Sequence, residues 1–165
     1  MSTPIINLDN LEFREWGHGD RFQARLGSIS AKIGAQKLGY NLTVLPPGKA
    51  AFPIHSHRVN EEMFFVVEGS GEIRIGSERH AIKKGDVIAC PPGSAETAHQ
   101  IVNTSQSDLK YLAVSTKLSP EIAEYPDSRK TGIYADYGTD ASGQSSMLRL
   151  VLDEANQPVD YWSGE

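Results

Sequence analysis

The chain has 165 residues, 39% of them hydrophobic, which is the size and composition of one compact domain. The 16 Lys and Arg residues oppose 21 Asp and Glu residues, and no block of clustered basic residues occurs, so a nucleic-acid-binding protein is disfavoured. No apolar run approaches the roughly 18 residues of a membrane-spanning helix. The only cysteine, Cys90, permits no disulfide within the chain, and the first residues carry no secretory signal. These features predict a cytoplasmic protein that binds neither nucleic acid nor membrane.

Residues 1–39 are predicted to form an N-terminal arm. Two segments of this arm, 11–14 and 29–33, contain apolar and β-branched residues and are candidate edge strands. The remainder of the arm carries no pattern that assigns it to a strand or a helix.

Residues 40–115 contain a succession of short apolar or alternating segments separated by turn residues. The segments are 40–45, 63–67, 72–75, 81–82, 87–90, 99–103 and 109–114, and Gly or Pro stands at nearly every junction. Evenly spaced strands of this kind are typical of a β-sandwich or a closed barrel rather than a βαβ fold. The sequence therefore predicts an all-β domain with its barrel core at 40–115.

Residues 116–165 are predicted to form a C-terminal arm. The part at 119–146 carries two prolines and several Gly and Ser residues, and it is interpreted as irregular. The apolar segment 147–152 is too short for its type to be assigned. No repeat, low-complexity tract or linker divides the chain, so a single domain spanning 1–165 is the simplest organisation.

Three histidines and one glutamate form a pattern that suits metal binding. His55 and His57 are two residues apart and therefore point to the same face of an extended strand. Glu62 precedes the apolar segment 63–67, and His99 opens a later segment. Imidazole and carboxylate ligands suit one divalent ion such as Fe(II), Mn(II), Ni(II), Cu(II) or Zn(II), with open positions for substrate or water. The alternative is a set of unrelated surface or core histidines.

The same residues lie in two motifs that resemble those of the cupin superfamily. The first motif is matched by Gly48, His55, His57, Glu62 and Gly69. The second motif is matched by Gly85, Pro91, Gly93, His99 and Asn103. The resemblance implies a single-domain jelly-roll barrel, or double-stranded β-helix, with N- and C-terminal arms. It also implies one divalent metal ion per chain, such as Zn, Mn, Fe or Ni, held by His55, His57, Glu62 and His99.

The second motif departs from the family pattern by an insertion. Five residues, 94–98, separate Gly93 from His99, where the family usually has two. The insertion is predicted to bring Glu96 close to the metal site, either as a substitute ligand or as the catalytic acid/base. The alternative is that the inserted loop turns outward and Glu96 is a solvated loop residue. Glu61 is the alternative acid/base, and it also lies within the spacing that the family allows for the ligand, although Glu62 matches the spacing to Gly69.

A barrel whose ligands point inward also places neighbours of the same parity inside. The side chains predicted to face inward are those of Phe64, Val66 and Ile101. The side chains predicted to face outward are those of Met63, Phe65 and Val67. An apolar outer face needs cover, which a second subunit supplies in a homodimer, as is common among single-domain cupins. The alternative is cover by the arms of the same chain.

The whole chain is similar to the bacterial single-domain cupins known as sugar-phosphate (mannose-6-phosphate) isomerase-like. The similarity is carried by the long N-terminal arm and by residues 52–57, 96–100 and 124–128. It implies a metal-dependent enzyme that acts on a small polar metabolite. The candidate phosphate-binding residues are Arg21, Lys49, Arg58 and Arg74. Two alternatives stay open, namely an Fe(II)-dependent dioxygenase and a non-enzymatic cupin that binds or senses a small ligand.

Overall fold

The computed structural model describes residues 3–139 and 144–153. Within these ranges the regular structure is β apart from one 3-10 turn at Leu8–Asn10. The strands are β1 (Phe13–His18), β2 (Phe22–Ser28), β3 (Leu38–Leu45), β4 (Ser56–His57), β5 (Glu62–Glu68), β6 (Ser70–Ile75), β7 (Glu78–Lys83), β8 (Val87–Cys90), β9 (His99–Val102), β10 (Leu109–Thr116), β11 (Glu121–Tyr125), β12 (Lys130–Thr139) and β13 (Ser145–Leu152). The all-β prediction is confirmed. None of the helical residues described here forms a segment long and apolar enough to cross a membrane.

The strands form antiparallel sheets on either side of one core. One sheet has the order β1-β2-β3-β10-β5-β8, and two smaller sheets have the orders β7-β6-β9 and β13-β12-β11-β4. His55 and His99 exchange two backbone hydrogen bonds, at 3.2 and 2.8 Å, which join the two smaller sheets at β9 and β4. The opposing layers are those of a jelly roll.

The core lies between the layers and is made by alternate residues of the central strands. Leu45, Val66, Ile73 and Leu109 are each at most 1% exposed. Phe64 and Ile101 are buried in the same cluster, so the three side chains predicted to face inward do so. At roughly 1.5–3 kcal/mol for each large side chain, this cluster is the main stabilising feature of the barrel.

Two motif residues have structural roles in the turns. Gly69, between β5 and β6, has a φ of +84°, and a Cβ there would lie 2.5 Å from the carbonyl oxygen of Asp108. Only glycine fits this position. Asn103 is buried and donates its side-chain amide to the carbonyl oxygens of Leu45 and Ser107, both at 2.7 Å. Asn103 therefore fixes the turn that leads into β10.

The outer face of β5 is covered in part by the N-terminal arm. Val67 packs against a small cluster that includes Leu11 and Ile29. Phe65 stays 38% exposed and pairs across the strands with Val87, which is 66% exposed. The arm thus covers one of the three outward side chains, and the homodimer stays a prediction.

In each arm, the observed structure differs from the one predicted from the sequence. The candidate strand at 29–33 is a turn, closed by hydrogen bonds from the amides of Lys32 and Ile33 to the carbonyl oxygen of Ile29. The segment 119–146, interpreted as irregular, contains β11 and β12, which form a hairpin-like ladder. Neighbouring strands supply the pairing partners here, and this overrides the weak β propensity of the segment.

Candidate metal centre

Four predicted ligands converge on the inner side of the barrel. His57 lies on β4, His55 just before it, Glu62 at the start of β5 and His99 at the start of β9. Their potential ligand atoms all lie within 4.8 Å of one another. The antiparallel bridge between His55 and His99 sets their rings side by side, with centroids 5.0 Å apart. Three strands of the fold thus bring together residues that are distant in sequence.

Glu62 is the acidic centre of this cluster. Its Oε2 atom lies 2.9 Å from Nε2 of His99 and 3.6 Å from Nε2 of His57. Burial opposes ionisation of the carboxyl group, but the contacts with His57 and His99 outweigh it and hold the pKa of Glu62 well below its ordinary value. Glu62 is therefore a carboxylate at neutral pH.

Backbone carbonyl oxygens orient two of the imidazole rings. Nδ1 of His55 lies 2.9 Å from the carbonyl oxygen of Pro53, and Nδ1 of His99 lies 3.2 Å from that of Thr97. A carbonyl oxygen can only accept a hydrogen bond, so each Nδ1 carries the proton. The lone pair of Nε2 of His55 is then available to a metal ion, which is the usual arrangement of metal-binding histidines. Nε2 of His99 lies 2.9 Å from Oε2 of Glu62, and it would be available to an ion that replaced this contact.

The protonation equilibria of His55 and His57 are shifted in opposite directions. Burial, followed by the neighbouring His99 and His57, lowers the pKa of His55 to about 4, so its ring is neutral at pH 7. Burial opposes the charge on His57 as well, but the carboxylates of Glu62 and Glu121 outweigh it and raise the pKa of His57. Without a cation, the cluster favours a proton on His57.

The donor set fits a divalent metal ion. Neither ring nitrogen of His57 has a hydrogen-bond partner among the described residues, although both are buried. Buried polar atoms without partners are rare, and a bound ion is one of the situations that produces them. Three imidazoles and one carboxylate suit transition metals or zinc rather than calcium or magnesium.

The cluster lines a cavity of about 260 Å³. Its walls are mainly apolar, and they include Phe52, Phe64 and Ile101. The polar side chains that line it, besides the four ligands, are those of Asn41, Gln100 and Tyr111. Within 3–139 and 144–153, no lysine or arginine lines this cavity. A ligand here meets metal-binding groups, amides and apolar surface rather than fixed positive charge.

Gln100 is held in place at the cavity wall. Its Nε2 donates to the carbonyl oxygen of Phe52 at 2.7 Å, and its Oε1 accepts from Nη2 of Arg21 at 3.3 Å. Arg21 is therefore not a lining residue of the cavity, and its contact with the site is this hydrogen bond to Gln100.

The structure places Glu96 outside the ligand cluster. Glu96 is exposed, and its carboxylate accepts hydrogen bonds from the amide nitrogen and the hydroxyl of Ser94. The hydroxyl contact is the main cause that lowers the pKa of Glu96 to about 2. The backbone of the inserted loop rests on Gly76, where a Cβ would lie 2.8 Å from the carbonyl oxygen of Glu96. The catalytic role of Glu96 stays a prediction, as does that of Glu61, which is also exposed.

Three of the four candidate phosphate-binding residues form ion pairs. Arg58 pairs with Glu124 at 2.6 Å. Arg74 pairs with Asp127 at 2.9 Å, and Lys49 pairs with Asp20 at 2.8 Å. These carboxylates neutralise three of the four side chains that were predicted to bind a phosphate group. The fourth, Arg21, contacts the cavity wall through Gln100.

Sequence inspection missed two residues of the C-terminal arm that reach the site. Glu121 is 7% exposed, and its Oε2 atom lies 3.4 Å from Nδ1 of His57. Tyr125, on the same face of β11, stacks on the ring of His55. Both lie outside the two motifs. The segment 124–128, which contains Tyr125, was noted for its similarity to related cupins, and the alternation of 121, 123 and 125 along one face was the signal available for Glu121.

The comparisons with known proteins agree on the family. The Cupin domain family matches residues 41–115. The oxalate-binding protein of Thermotoga maritima is 37% identical over 109 residues, which cover 66% of this chain and 86% of that protein. The uncharacterized protein MJ1618 of Methanocaldococcus jannaschii is 35% identical over 112 residues, which cover 68% and 78% of the two chains. The chain belongs to the cupin superfamily.

Solved structures resemble the chain over most of its length. A cupin-superfamily structure from Silicibacter pomeroyi, named a sugar phosphate isomerase, is 25% identical with a TM-score of 0.75, covering 96% of this chain and 98% of that one. A candidate sugar phosphate isomerase from Acidithiobacillus ferrooxidans is 21% identical with a TM-score of 0.76, covering 95% and 96%. The second likeness shows the shared fold alone. Both alignments include the arms as well as the barrel.

Proposed function

We propose that this chain is a divalent-metal-dependent enzyme that acts on a small polar metabolite and is sugar-phosphate isomerase-like. The observation that carries the proposal is the position of three histidines and Glu62 in the wall of a mainly apolar cavity of about 260 Å³. Pockets for drug-sized ligands measure roughly 300–1,000 Å³, so this smaller cavity suits a small metabolite. The name of the Silicibacter pomeroyi structure supports the same class.

The residues around the cavity have complementary tasks. A divalent ion, when bound, supplies Lewis acidity toward a carbonyl or hydroxyl oxygen. His55 and Glu62 are in their metal-binding protonation states at neutral pH. The amides of Asn41 and Gln100 offer donors and acceptors to substrate hydroxyl groups, and Phe64 helps to exclude water.

Aldose–ketose isomerisation also moves a proton between adjacent carbon atoms, and this step needs a base within reach of the substrate. Glu96 remains the proposed base. It reaches the cavity only if the loop 94–98 turns inward and the contacts with Ser94 break. The hydroxyl of Tyr111 is a poor base, because burial raises its pKa and it stays protonated.

Proton exchange in D2O tests the isomerase proposal. The metal-loaded protein is incubated with a panel of aldose and ketose phosphates, and NMR follows product formation and deuterium incorporation next to the carbonyl carbon. We expect both signals with at least one substrate, and neither with His99→Ala, which lacks a ligand. If no phosphate in the panel gives either signal while metal is bound, the isomerase proposal is wrong.

A second function, binding of a small dicarboxylate, is favoured by one observation. The cavity has no lysine or arginine among its described lining residues, so a phosphate group finds no fixed positive charge there. A small dianion that coordinates a metal ion directly does not need such a charge from the protein. The relative from Thermotoga maritima is named an oxalate-binding protein, which fits this alternative. Calorimetric titration of the metal-loaded and metal-free protein with oxalate decides it, since metal-dependent binding without turnover supports a binding protein.

A further inference from the structure

We propose that Glu121, on the C-terminal arm, is the positioning residue of the metal centre and that it acts through His57. Its Oε2 atom lies 3.4 Å from Nδ1 of His57. The inference rests on the proposal that the four-residue cluster holds a metal ion. It adds a residue outside the two cupin motifs, supplied by β11, to the support of that cluster.

The carboxylate of Glu121 is fixed by the backbone around it. Its Oε1 atom accepts hydrogen bonds from the amides of Arg58, Val59 and Ile122, at 3.1, 3.2 and 2.8 Å. Its Oε2 atom accepts from the backbone amide of Asn60 at 2.8 Å and from the side-chain amide of the same residue. A buried carboxylate needs such donors to remain charged, and these donors also prevent it from rotating.

His57 differs from the other two histidines in what stands behind its ring. His55 and His99 use backbone carbonyl oxygens to hold the proton on Nδ1. Nδ1 of His57 has no such carbonyl partner, and the acceptor that faces it is the carboxylate of Glu121. A metal ion on Nε2 of His57 forces the ring proton to Nδ1, next to this carboxylate. A carboxylate behind a ligand histidine fixes the tautomer and increases the basicity of the ligand.

Strand pairing sets the distance between the two residues. β4 pairs with β11 through Ala123 with His57 and Glu124 with Ser56. Glu121 and Ala123 lie on one face of β11, so Glu121 points toward the ring of His57.

Metal affinity is the first test. Zn²⁺ binding is measured by competition with a chromophoric chelator for wild type, Glu121→Gln and Glu124→Gln. The glutamine at 121 replaces one acceptor oxygen by a donor, while Glu124 is a control on the same strand that pairs with Arg58. We expect Glu121→Gln to weaken Zn²⁺ binding by about 10- to 100-fold and Glu124→Gln by less than about threefold. Equal affinities for the two variants would refute the role of Glu121 and leave the proposed function standing. A wild-type protein that binds neither Zn²⁺ nor Co²⁺ would refute the proposed function as well.

A spectroscopic signature separates positioning from support of the fold. In the Co²⁺-loaded protein, each ligand histidine gives a hyperfine-shifted Nδ1 proton signal. We expect three slowly exchanging signals in wild type and Glu124→Gln, and selective loss or rapid exchange of the His57 signal in Glu121→Gln.

Ser119→Ala provides a comparison in which the C-terminal arm is weakened and the hydrogen bonds of Glu121 are kept. The hydroxyl oxygen of Ser119 accepts a hydrogen bond from the amide of Asp136 at 2.8 Å, so its loss lowers the melting temperature. We expect Ser119→Ala to keep the His57 signal and an affinity within about threefold of wild type. If Ser119→Ala loses the signal and the affinity as completely as Glu121→Gln, Glu121 only supports the fold and the positioning role is refuted.

Discussion

The ring of Tyr125 stacks on the ring of His55, with centroids 6.0 Å apart and planes inclined by 27°. Tyr125 belongs to the C-terminal arm, whereas His55 belongs to the first metal-binding motif. The hydroxyl of Tyr125 lies 3.0 Å from that of Tyr134, which holds the ring in this position. The stack contributes to the burial that keeps His55 neutral.

Tyr125→Ala is expected to raise the pKa of His55 in the metal-free protein from about 4 toward 6.5, because the ring then becomes exposed to water. Titration of the imidazole carbon protons by NMR measures the shift. Tyr125→Phe keeps the stacked ring and removes only the hydroxyl, so it should leave the pKa of His55 near the wild-type value. Equal pKa values in the alanine and phenylalanine variants would show that the stack does not bury His55.

The metal-free protein should lose stability in acid because of His55. The pKa of His55 is lower in the folded state, at about 4, than the value of 6.5 that applies on unfolding, so its contribution is present above pH 6.5 and is lost as the pH falls to 4. The shift corresponds to about 3 kcal/mol of unfolding free energy. Glu62, whose pKa is also depressed, adds a further loss at lower pH, whereas His57 acts in the opposite direction because its pKa is raised.

Urea unfolding at a series of pH values compares wild type with His55→Asn in the presence of a chelator. Wild type should lose about 3 kcal/mol more than the variant between pH 6.5 and 4. Parallel curves for the two proteins would contradict the assignment to His55.

Each of the four ligands should be required for metal content. Protein purified without added metal is expected to carry one divalent ion per chain, and His99→Ala should reduce this by about tenfold or more because the donor set is then incomplete. His80→Ala is the control, since His80 is exposed and pairs only with Glu78 within the described residues. Elemental analysis reads both the amount and the identity of the metal. Iron would favour the dioxygenase alternative, and zinc or manganese would favour the isomerase or the binding protein.

Glu96→Gln should leave the metal content unchanged, because the carboxylate of Glu96 contacts Ser94 rather than the ligand cluster. If Glu96 is the base, turnover on an identified substrate should drop by about two to four powers of ten. A variant with wild-type turnover would leave the isomerase without this base, and a variant with less metal would make Glu96 a ligand.

The homodimer is expected to form through the exposed apolar pair Phe65 and Val87 on the outer face of β5 and β8. Light scattering at micromolar concentration should give twice the chain mass of 18.0 kDa. Phe65→Lys should shift the protein to the monomer without unfolding it, because this side chain points away from the core. A wild-type protein that is already monomeric would contradict the prediction.

The barrel strands and the shared face of His55 and His57 could be predicted from local sequence patterns, whereas the convergence of His99 with them was implied by the resemblance to the two cupin motifs. The alternation of residues along the strand correctly predicted that Phe64 and Val66 are buried. The His-x-His spacing correctly predicted that His55 and His57 lie on the same face. Each of these features involves residues that are close along the chain or belong to one motif.

The surroundings of the ligands could not be predicted in the same way. Glu121 and Tyr125 reach the site only because β11 pairs with the two-residue strand β4, and nothing within 119–146 indicates that partner. The position of Glu96 depends on hydrogen bonds to Ser94 and on the close approach of the loop to Gly76. Such contacts are tertiary, and sequence spacing places Glu96 near the site without indicating which way the loop turns.

The pairing of β4 with β11 has a consequence for the timing of metal uptake during synthesis. The four ligands are all translated before Glu121 and Tyr125, because both residues follow His99 in the chain. Until β11 arrives, β4 lacks its strand partner, and His57 lacks the carboxylate behind its ring. If Glu121 strengthens metal binding as proposed, a nascent chain whose C-terminal arm has not yet folded onto the barrel holds a metal ion less tightly than the complete chain.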